Sequence, residues 1–384
     1  MPVKFAGLET IILDVPTIRQ HVLSVATMRY QSLVLLRLRC SDGTEGIGEG
    51  TTIGGASYCD ESPESIKLVI DTYIAPVLRE CDLENVAATM RAVRQAVVGN
   101  RIARCAVETA LLDAAGKRLG LPVSTLLGGS VRNKVPVAWT LASGQVEKDA
   151  EEAQAMLEAK RHNIFKLKIG KQSVTADVAH AAAIKKSVGD KGSLRVDVNQ
   201  AWNETDALRG IAMLADVGVD LVEQPTHREA YPTLARLSQR SPIPIMADES
   251  LTGPRSAFIL ASQAAAGVFS IKIAQSGGLL PAVAVGAIAH AAGVGLYGGT
   301  MLEGGVGTAA CAHLAATLPN VDWGTELFGP LLLTEDILSE PLTYADFELA
   351  VPNQAGLGVA LDKDKVDYFR RDGGSRLVKM KAGG

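Results

Sequence analysis

Three acidic residues recur at nearly equal spacing in the second half of the sequence. Glu223 follows Asp197 by 26 residues, and Asp248 follows Glu223 by 25 residues. Each acid lies at or near the carboxyl end of a short apolar segment, and the spacing is that of one strand plus one helix. Carboxylates that converge in this way repel one another and lose hydration, and a divalent cation offsets both costs. The pattern predicts an all-oxygen site for Mg²⁺ or Mn²⁺, and the lack of histidine at these positions argues against zinc.

Lysines accompany these acids at similar relative positions. Lys166 and Lys168 stand two residues apart in the segment FKLKIG, and alternate residues of a strand point to one face. Lys272 follows Asp248 by 24 residues, and Glu326 lies near the end of the last apolar segment of the series. Lysines in such a buried site can give or take a proton near neutral pH. The residues alone leave open a structural alternative, a salt-bridge network that only holds the strands together.

Eight short apolar segments have to position these side chains. They are typical of strands, and most of the gaps between them hold Ala-rich stretches with helical spacing. Eight units of a strand followed by a helix predict an α/β fold of the (β/α)8 barrel type, with its active site at the carboxyl ends of the strands. The predicted strands cover residues 135–140, 164–169, 194–198, 219–223, 242–248, 268–273, 293–299 and 322–327.

The sequence before the barrel has a different organisation. Residues 1 to about 55 contain apolar, β-branched runs around the turn sequence SDGTEG, whereas residues 61–121 repeat at helical spacing. We therefore predict an α+β domain over residues 1–130 and the barrel over 131–329. The remaining segment, 330–384, is expected to return to the first domain.

Composition and charge exclude several classes of function. The chain has 384 residues, of which 47% are hydrophobic, and a net charge of −4, which indicates a globular protein with a large core. A Lys/Arg-rich stripe for nucleic acid is missing, as is an apolar run of the ~18 residues that a membrane span needs. The N-terminus has no apolar secretion signal, and the five scattered cysteines form no CxxC pair. We therefore expect reduced thiols in a cytoplasmic protein.

One glycine-rich segment is similar to a nucleotide-binding motif. GGVGTAA (304–310) fits G-x-G-x-x-A, but it follows a predicted barrel strand and has no clear βαβ context with an acidic residue about 20 positions later. We interpret the glycines as the start of a helix whose N-terminus can hold a substrate carboxylate.

Taken together, these segments resemble the enolase superfamily, in particular its muconate lactonizing subgroup. The similar motifs are, in order, KLK, RVDVNQAW, VEQP, MADES, IKIAQSGG and GTELFGP, with SDGTEGIGEGTTIGG and GLGVALD nearer the two ends. The resemblance extends over essentially the whole chain. It implies a modified barrel of the (β/α)7β type beneath an α+β capping domain.

The resemblance also implies a role for individual residues. The implied ligands of a Mn²⁺ or Mg²⁺ ion are Asp197, Glu223 and Asp248. The implied catalytic residues are Lys168, which transfers the proton, and its neighbour Lys166. Lys272 on the opposite face and Glu326 of the last strand complete the implied set. The implied substrate-binding residues are Ile53, Tyr58, Asn199 and Phe328.

The activity implied by the resemblance is metal-dependent conversion of cis,cis-muconate to muconolactone, through a metal-stabilised enolate, in the degradation of aromatic compounds. The implied partners are a small dicarboxylate substrate and further copies of the chain in a homo-octamer, with neither nucleic acid nor membrane. Chloromuconate cycloisomerase, o-succinylbenzoate synthase and dipeptide or N-acylamino-acid epimerase activities stay open on the same scaffold. The capping-loop residues Ile53 and Tyr58 favour the small dicarboxylate. A non-catalytic barrel would lack ligands or lysines, and none is missing here.

Overall fold

The computed structural model describes residues 2–23 and 26–372, and its first layer is an antiparallel sheet. The centre of the middle strand is buried, because the sheet is packed between other elements. The strands pair in the order of the sequence: β1 (Phe5–Val22), β2 (Thr27–Cys40) and β3 (Glu45–Thr51).

Helices cover this sheet and complete the N-terminal unit, which we call the cap (the described residues up to 130). A π-helical turn, Ile70–Ile74, joins the first two helices. The cap helices are α1 (Pro63–Val69), α2 (Ala75–Glu80), α3 (Val86–Ala96), α4 (Arg101–Leu119) and α5 (Val123–Leu126).

Glycines in β3 allow α4 to lie directly on the sheet. A Cβ atom at Gly46 would stand 2.0 Å from the carbonyl oxygen of Ala110, and one at Gly48 would stand 2.0 Å from that of Ala106. Any side chain at either position would therefore push the helix away. The alternating glycines of the EGIGEG segment are explained by this close approach.

A parallel sheet of seven strands follows the cap. The strands are hydrogen-bonded in the sequence order β5 to β11, as expected for consecutive strand–helix units. They are β5 (Trp139–Leu141), β6 (Ile164–Lys168), β7 (Ser193–Asp197), β8 (Leu221–Glu223), β9 (Ile245–Ala247), β10 (Val268–Ile271) and β11 (Gly295–Gly298), while β4 (Lys134–Pro136) belongs to a separate small sheet.

Thr325 joins the two edges of the parallel sheet. It forms parallel bridges with Val137, just before β5, and with Gly298, the last residue of β11. Backbone hydrogen bonds run to both sides, from the amide of Ala138 to the Thr325 carbonyl and from the amide of Glu326 to the Gly298 carbonyl. The sheet thus closes on itself, and the predicted α/β fold with a modified barrel and an α+β cap is confirmed.

Two of the eight predicted strands differ from the structure in detail. Residues 135–140 do not form one strand, because Pro136 has no amide hydrogen for a parallel ladder and its strand pairs with the tail instead. Residues 322–327 contribute only the bridges of Thr325, because Gly324 has a φ of 72° and turns the chain out of the strand conformation.

Helices between the strands form the outer layer of the barrel. The helix between β11 and the closing segment is buried along nearly its whole length, which explains its uniformly apolar sequence GVGTAACAHLAAT. The helices are α6 (Val146–Glu158), α7 (Val174–Val188), α8 (Glu204–Asp216), α9 (Tyr231–Arg240), α10 (Pro254–Ser262), α11 (Ile273–Ser276), α12 (Leu279–Ala291) and α13 (Gly305–Thr317), with a 3-10 turn at Gly189–Lys191. Within the described residues, none of the helices combines the length and the apolarity needed to cross a bilayer.

The C-terminal segment runs back over the cap. β13 pairs with β4, and single bridges join Leu13 to Arg370, Thr17 to Leu333 and Pro122 to Gly356. The segment contains α14 (Gly329–Leu332), β12 (Tyr344–Ala345), β13 (Glu348–Ala350) and α15 (Lys363–Phe369). Residues 373–384 of the predicted tail lie outside the described residues.

A buried carboxylate fastens the cap to the barrel. Glu49 of β3 accepts hydrogen bonds from the amides of Gly304 (2.7 Å) and Gly307 (2.9 Å) and from the hydroxyl of Thr51 (2.6 Å). It therefore caps the N-terminus of α13, where positive charge of the helix dipole is concentrated. The expectation that this helix end holds a substrate carboxylate is wrong, because a carboxylate of the chain itself occupies it.

We expect Glu49→Gln to destabilise the protein. One carboxamide oxygen cannot accept all three hydrogen bonds, and a buried donor left without a partner costs about 1–3 kcal/mol. Calorimetry should show a lower thermal midpoint for this variant. The control is Glu80→Gln, at an exposed position in the last turn of α2, and equal midpoints for the two variants would contradict the assigned role.

The same variant should respond differently to pH. Burial raises the pKa of Glu49 from 4.5 to about 7 in the folded protein. Between these values the folded protein keeps a proton that the unfolded chain has released, so the contribution of this group to stability falls as pH rises from 4.5 through 7. Because glutamine does not titrate, the thermal midpoint of Glu49→Gln should decline less across this window than that of the wild type. Parallel curves would show that Glu49 does not titrate there.

Candidate active site

The register of the parallel strands brings the predicted site residues to one end of the barrel. Lys168 pairs with Asp197 across β6 and β7, and Asp197 pairs with Glu223 across β7 and β8. Asp248 comes directly after β9, and Lys272 comes directly after β10. All five side chains therefore start from the carboxyl ends of adjacent strands.

Asp197, Glu223 and Asp248 form a compact cluster of oxygen donors. One carboxylate oxygen from each residue lies within 4.8 Å of those of the other two, and all three side chains are buried. Hard oxygen donors in this arrangement fit a divalent cation such as Mg²⁺ or Mn²⁺. The structure thus brings together the three acids that the sequence predicts as metal ligands.

Acidic groups outnumber the lysines in the cluster around these donors, which consists of three hydrogen-bonded sets of side chains. The cluster contains five carboxylates and three ammonium groups, from Asp197, Glu223, Asp248, Glu249, Glu326, Lys166, Lys168 and Lys272. With all eight groups ionised, the excess is two negative charges. A divalent cation carries the charge that balances this excess.

Repulsion between the acids is visible in their pKa values. Burial, together with the nearby charge of Asp197, raises the pKa of Glu223 well above its ordinary value. Burial, and then the charges of Asp248 and Asp197, raises the pKa of Glu249 to about 8. Protons retained on such acids and a bound cation are two alternative ways to reduce the same repulsion.

Lys166 links two acids inside the barrel. Its ammonium nitrogen lies 3.0 Å from Oε2 of Glu223 and 2.5 Å from Oε2 of Glu326, whose other oxygen accepts the hydroxyl of Thr140 at 2.6 Å. Burial lowers the pKa of Lys166, but attraction to Glu223 and Glu326 outweighs it, so that the pKa is raised well above its ordinary value. In this arrangement Lys166 is a charged group that binds and orients carboxylates.

Lys168 lies nearer to the solvent than Lys166. Its ammonium nitrogen is 2.5 Å from Oδ2 of Asp197 and 3.3 Å from the side-chain oxygen of Asn199. Its side chain keeps 11% of its exposure, against 1% for Lys166. Lys168 therefore faces the cavity while it remains held at the edge of the acid cluster.

Lys272 approaches from the opposite side together with a tyrosine of the cap. The Lys272 ammonium group donates to Oδ2 of Asp248 and to the Tyr58 hydroxyl, both at 2.8 Å, and that hydroxyl donates to the same Asp248 oxygen. Gln275 donates to the other oxygen of Asp248 at 3.0 Å. Burial lowers the pKa of Lys272, but the charge of Asp248 outweighs it and the pKa is raised. Two ammonium groups, Lys168 and Lys272, thus flank the cavity from different strands.

A small cavity at the barrel end connects these groups. Its polar floor comes from the barrel, whereas His21, Leu23, Ile53 and Tyr58 come from the cap. The lining residues are His21, Leu23, Ile53, Tyr58, Lys166, Lys168, Asn199, Asp248, Lys272, Thr300, Leu302 and Glu326. The cap therefore closes the site with two apolar side chains, Leu23 and Ile53, and two polar ones, His21 and Tyr58.

Phe328 lies outside this lining, unlike the other predicted substrate-binding residues. It is completely buried, and its ring packs against that of Trp139 with centroids 5.0 Å apart. Ile53, Tyr58 and Asn199 all line the cavity. A role for Phe328 in substrate binding stays a prediction, and in this structure its contact is with the wall behind the site.

Several residues of the site have no distinguishing mark in the sequence. Thr140, Thr300 and Gln275 contact the acids or line the cavity, yet lone hydroxyls and amides are common everywhere. Glu249 could have been found, because it directly follows Asp248 in the MADES segment. Its carboxylate accepts a hydrogen bond from the Asn199 side chain at 3.1 Å, which links it to the Asp197 side of the cluster.

Family models match most of the chain in two parts. The model described as "Mandelate racemase / muconate lactonizing enzyme, N-terminal domain" matches residues 8–128. The model described as "Enolase C-terminal domain-like" matches residues 148–365. The two matches correspond to the cap and to the barrel with part of the tail.

Individual proteins are similar over nearly their full length. A muconate cycloisomerase of Acinetobacter lwoffii is 57% identical, with 97% of this chain and 96% of the relative covered. A crystal structure of muconate lactonizing enzyme from Pseudomonas fluorescens, complexed with muconolactone, is 56% identical with a TM-score of 0.95 and covers 97% of this chain and 100% of that one. A chloromuconate cycloisomerase of Delftia acidovorans is 44% identical, with 96% and 99% covered. The chain thus belongs to the mandelate racemase/muconate lactonizing enzyme family of the enolase superfamily.

Proposed function

We propose that this protein is a muconate cycloisomerase, which closes cis,cis-muconate to muconolactone in the degradation of aromatic compounds. The observation that carries this function is the cluster of three carboxylates beside a cavity that is lined by one of them, Asp248, by the flanking lysines and by the cap residues Ile53 and Tyr58. The relatives named muconate cycloisomerase, at 53–57% identity, support the same reaction. Chloromuconate cycloisomerases are similar at only 43–44% identity.

The chemistry of the reaction matches the groups in the cavity. One carboxylate of the substrate adds to a carbon–carbon double bond and forms the C–O bond of a five-membered lactone, while a proton adds to the carbon next to the other carboxylate. A divalent cation held by Asp197, Glu223 and Asp248 would stabilise the negative charge that develops on that second carboxylate. Substrate and product have the same atoms, because the reaction is an isomerisation.

The lysines then have separate tasks. Lys168 delivers the proton to the carbon, and in the reverse direction it removes the same proton. Lys272, held by Asp248 and Tyr58, adds a fixed positive charge on the opposite face. Lys166 fixes Glu223 and Glu326, so that the acids keep their positions while the substrate changes.

A Mn²⁺ ion is the proposed metal, with Mg²⁺ as the other hard cation that the ligands fit. The sequence-based predictions of a homo-octamer and of a cytoplasmic location stay predictions.

A substrate panel tests the proposed activity. The purified protein with Mn²⁺ should consume cis,cis-muconate, followed by its ultraviolet absorbance, with a higher kcat/KM than for chloromuconates. A dipeptide panel should show no epimerisation, because the polar cavity beneath Ile53 and Tyr58 is suited to a small dicarboxylate. A preference for a dipeptide, or for a chloromuconate, would assign the protein to one of the alternatives.

Removal of one lysine tests the assigned proton donor. We expect Lys168→Ala to lower kcat by about 10²- to 10⁴-fold or more, the range that a positioned general acid contributes. The rate at which added muconolactone exchanges its α-proton for solvent deuterium should fall in parallel. Lys171→Ala, at an exposed position three residues later, is the matched control. Near-normal turnover in Lys168→Ala, with unchanged circular dichroism, would refute the role.

Loss of a ligand tests the metal site independently of turnover. Treatment with a chelator should abolish activity, and Mn²⁺ should restore it at a ratio of one ion per chain. Asp197→Asn should weaken Mn²⁺ binding, measured by electron paramagnetic resonance, by roughly tenfold or more, since it removes one anionic donor. The control is Asp216→Asn, at the exposed end of α8. Equal affinities for the two variants would exclude Asp197 as a ligand.

A further inference from the structure

A second cavity lies between the cap and the barrel and shares no lining residue with the candidate active site. It is an open groove with a volume of about 710 Å³. Four arginines line it: Arg94 of α3, Arg101 and Arg104 of α4, and Arg255 of α10. The lining contains no acidic residue.

Within residues 2–23 and 26–372, none of these four guanidinium groups forms a salt bridge or a hydrogen bond. The arginine side chains that do so are different ones, such as Arg19 and Arg371. The Nε atom of Arg104 is buried and lacks a hydrogen-bond partner within the described chain. Burial and then repulsion from Arg101 and Arg94 lower the pKa of Arg104. The groove therefore concentrates four guanidinium groups, whose positive charge the buried carboxylates of Glu61 and Glu108 offset only in part.

The nearest acids are engaged elsewhere. Glu61 accepts hydrogen bonds from the amides of Ile102 and Ala103, at 2.8 and 3.0 Å. Glu108 accepts one from the amide of Leu280 at 3.1 Å. Both carboxylates thus bind amides of helix N-termini, and they attract the guanidinium groups without forming direct ion pairs with them. An anion that pairs with the arginines has to come from outside this part of the chain.

Further features of the groove favour a negatively charged occupant. The first turns of α4, α10 and α12 all contribute to its wall. Because Glu61 and Glu108 already accept hydrogen bonds from amides of α4 and α12, the helix dipole that favours an added anion is that of α10. No side chain caps α10, whose N-cap residue is Gly253. Ser276, which is only 7% exposed, also lines the groove, and its hydroxyl lacks a hydrogen-bond partner among the described residues.

The groove also has apolar walls. Met90 of α3, Ile259 of α10, and Leu280 and Pro281 of α12 lie between the arginines. Inorganic ions would leave this surface exposed to water, whereas an organic body would cover it. Guanidinium groups bind carboxylates and phosphates through two parallel hydrogen bonds.

From these observations we infer that the groove between α3, α4 and α10 is a binding site for an organic anion with two or more carboxylate or phosphate groups. The arginines hold the charged groups, and the apolar residues contact the carbon skeleton. Because the groove spans the cap and the barrel, an occupant joins the two parts at a place separate from the cavity.

Calorimetric titration of the Mn²⁺-loaded protein tests the inference. The probes are benzene-1,3,5-tricarboxylate, inorganic phosphate and an alkyl bisphosphate. We expect one organic anion bound per chain, more tightly than inorganic phosphate and more weakly at high salt. Whether the tricarboxylate or the bisphosphate binds more tightly identifies the charged group that the site prefers.

Variants locate the bound anion. The double variant Arg101→Gln, Arg104→Gln should weaken binding by at least tenfold, while its turnover and thermal midpoint stay near those of the wild type. Arg91→Gln is the matched control, because Arg91 is an exposed arginine of α3 that does not line the groove. Binding that survives in the double variant would place the anion elsewhere, for example in the active site, and would overturn the inference. Failure of every probe to bind to the wild type would also overturn the inference. If the double variant then also differed from the wild type in assembly size, the groove would be a contact between copies of the chain.

Discussion

Repulsion between buried carboxylates is the constraint that the rest of this structure has to satisfy. Asp197, Glu223 and Asp248 each leave the carboxyl end of a strand, and neighbouring parallel strands stand only about 5 Å apart. Such a cluster is unstable by itself, because burial removes the water that would screen it. Three lysines reduce the repulsion in part, and the remaining excess suits a doubly charged cation. The same imbalance makes the site able to stabilise a substrate on which negative charge develops.

A rigid frame keeps these charges together. The ladders of β6, β7 and β8 hold Lys168, Asp197 and Glu223 in register, so the acids cannot move apart without breaking backbone hydrogen bonds. The cap contributes the second constraint, since the hydroxyl of Tyr58 joins Lys272 and Asp248 in one triangle. The barrel thus fixes the positions of the charged side chains, and the cap limits the access of solvent and substrate to them.

Local sequence patterns predict the parts of this arrangement that depend on spacing. Strands β6 to β11 overlap the predicted segments, because each strand is a short, mostly apolar run with a charged or small residue at its end or directly after it. The spacing also predicts that Asp197, Glu223 and Asp248 lie at the same level along the barrel axis, at the carboxyl ends of their strands. Contacts across long separations are different: Tyr58 lies 190 positions from Asp248, and only the family resemblance points to it. The capping of α13 by Glu49 was missed for the same reason, since no local pattern pairs residues 49 and 304.

The return of the C-terminal segment to the cap has a consequence for biosynthesis. Arg371 lies 2.7 Å from Oδ1 of Asp14, and a single antiparallel bridge joins Arg370 to Leu13. The first sheet precedes the barrel in the chain, yet some of its partners follow the barrel. N-terminal units usually fold while translation continues. Here the nascent cap has to wait for the whole barrel to be translated before its final contacts form.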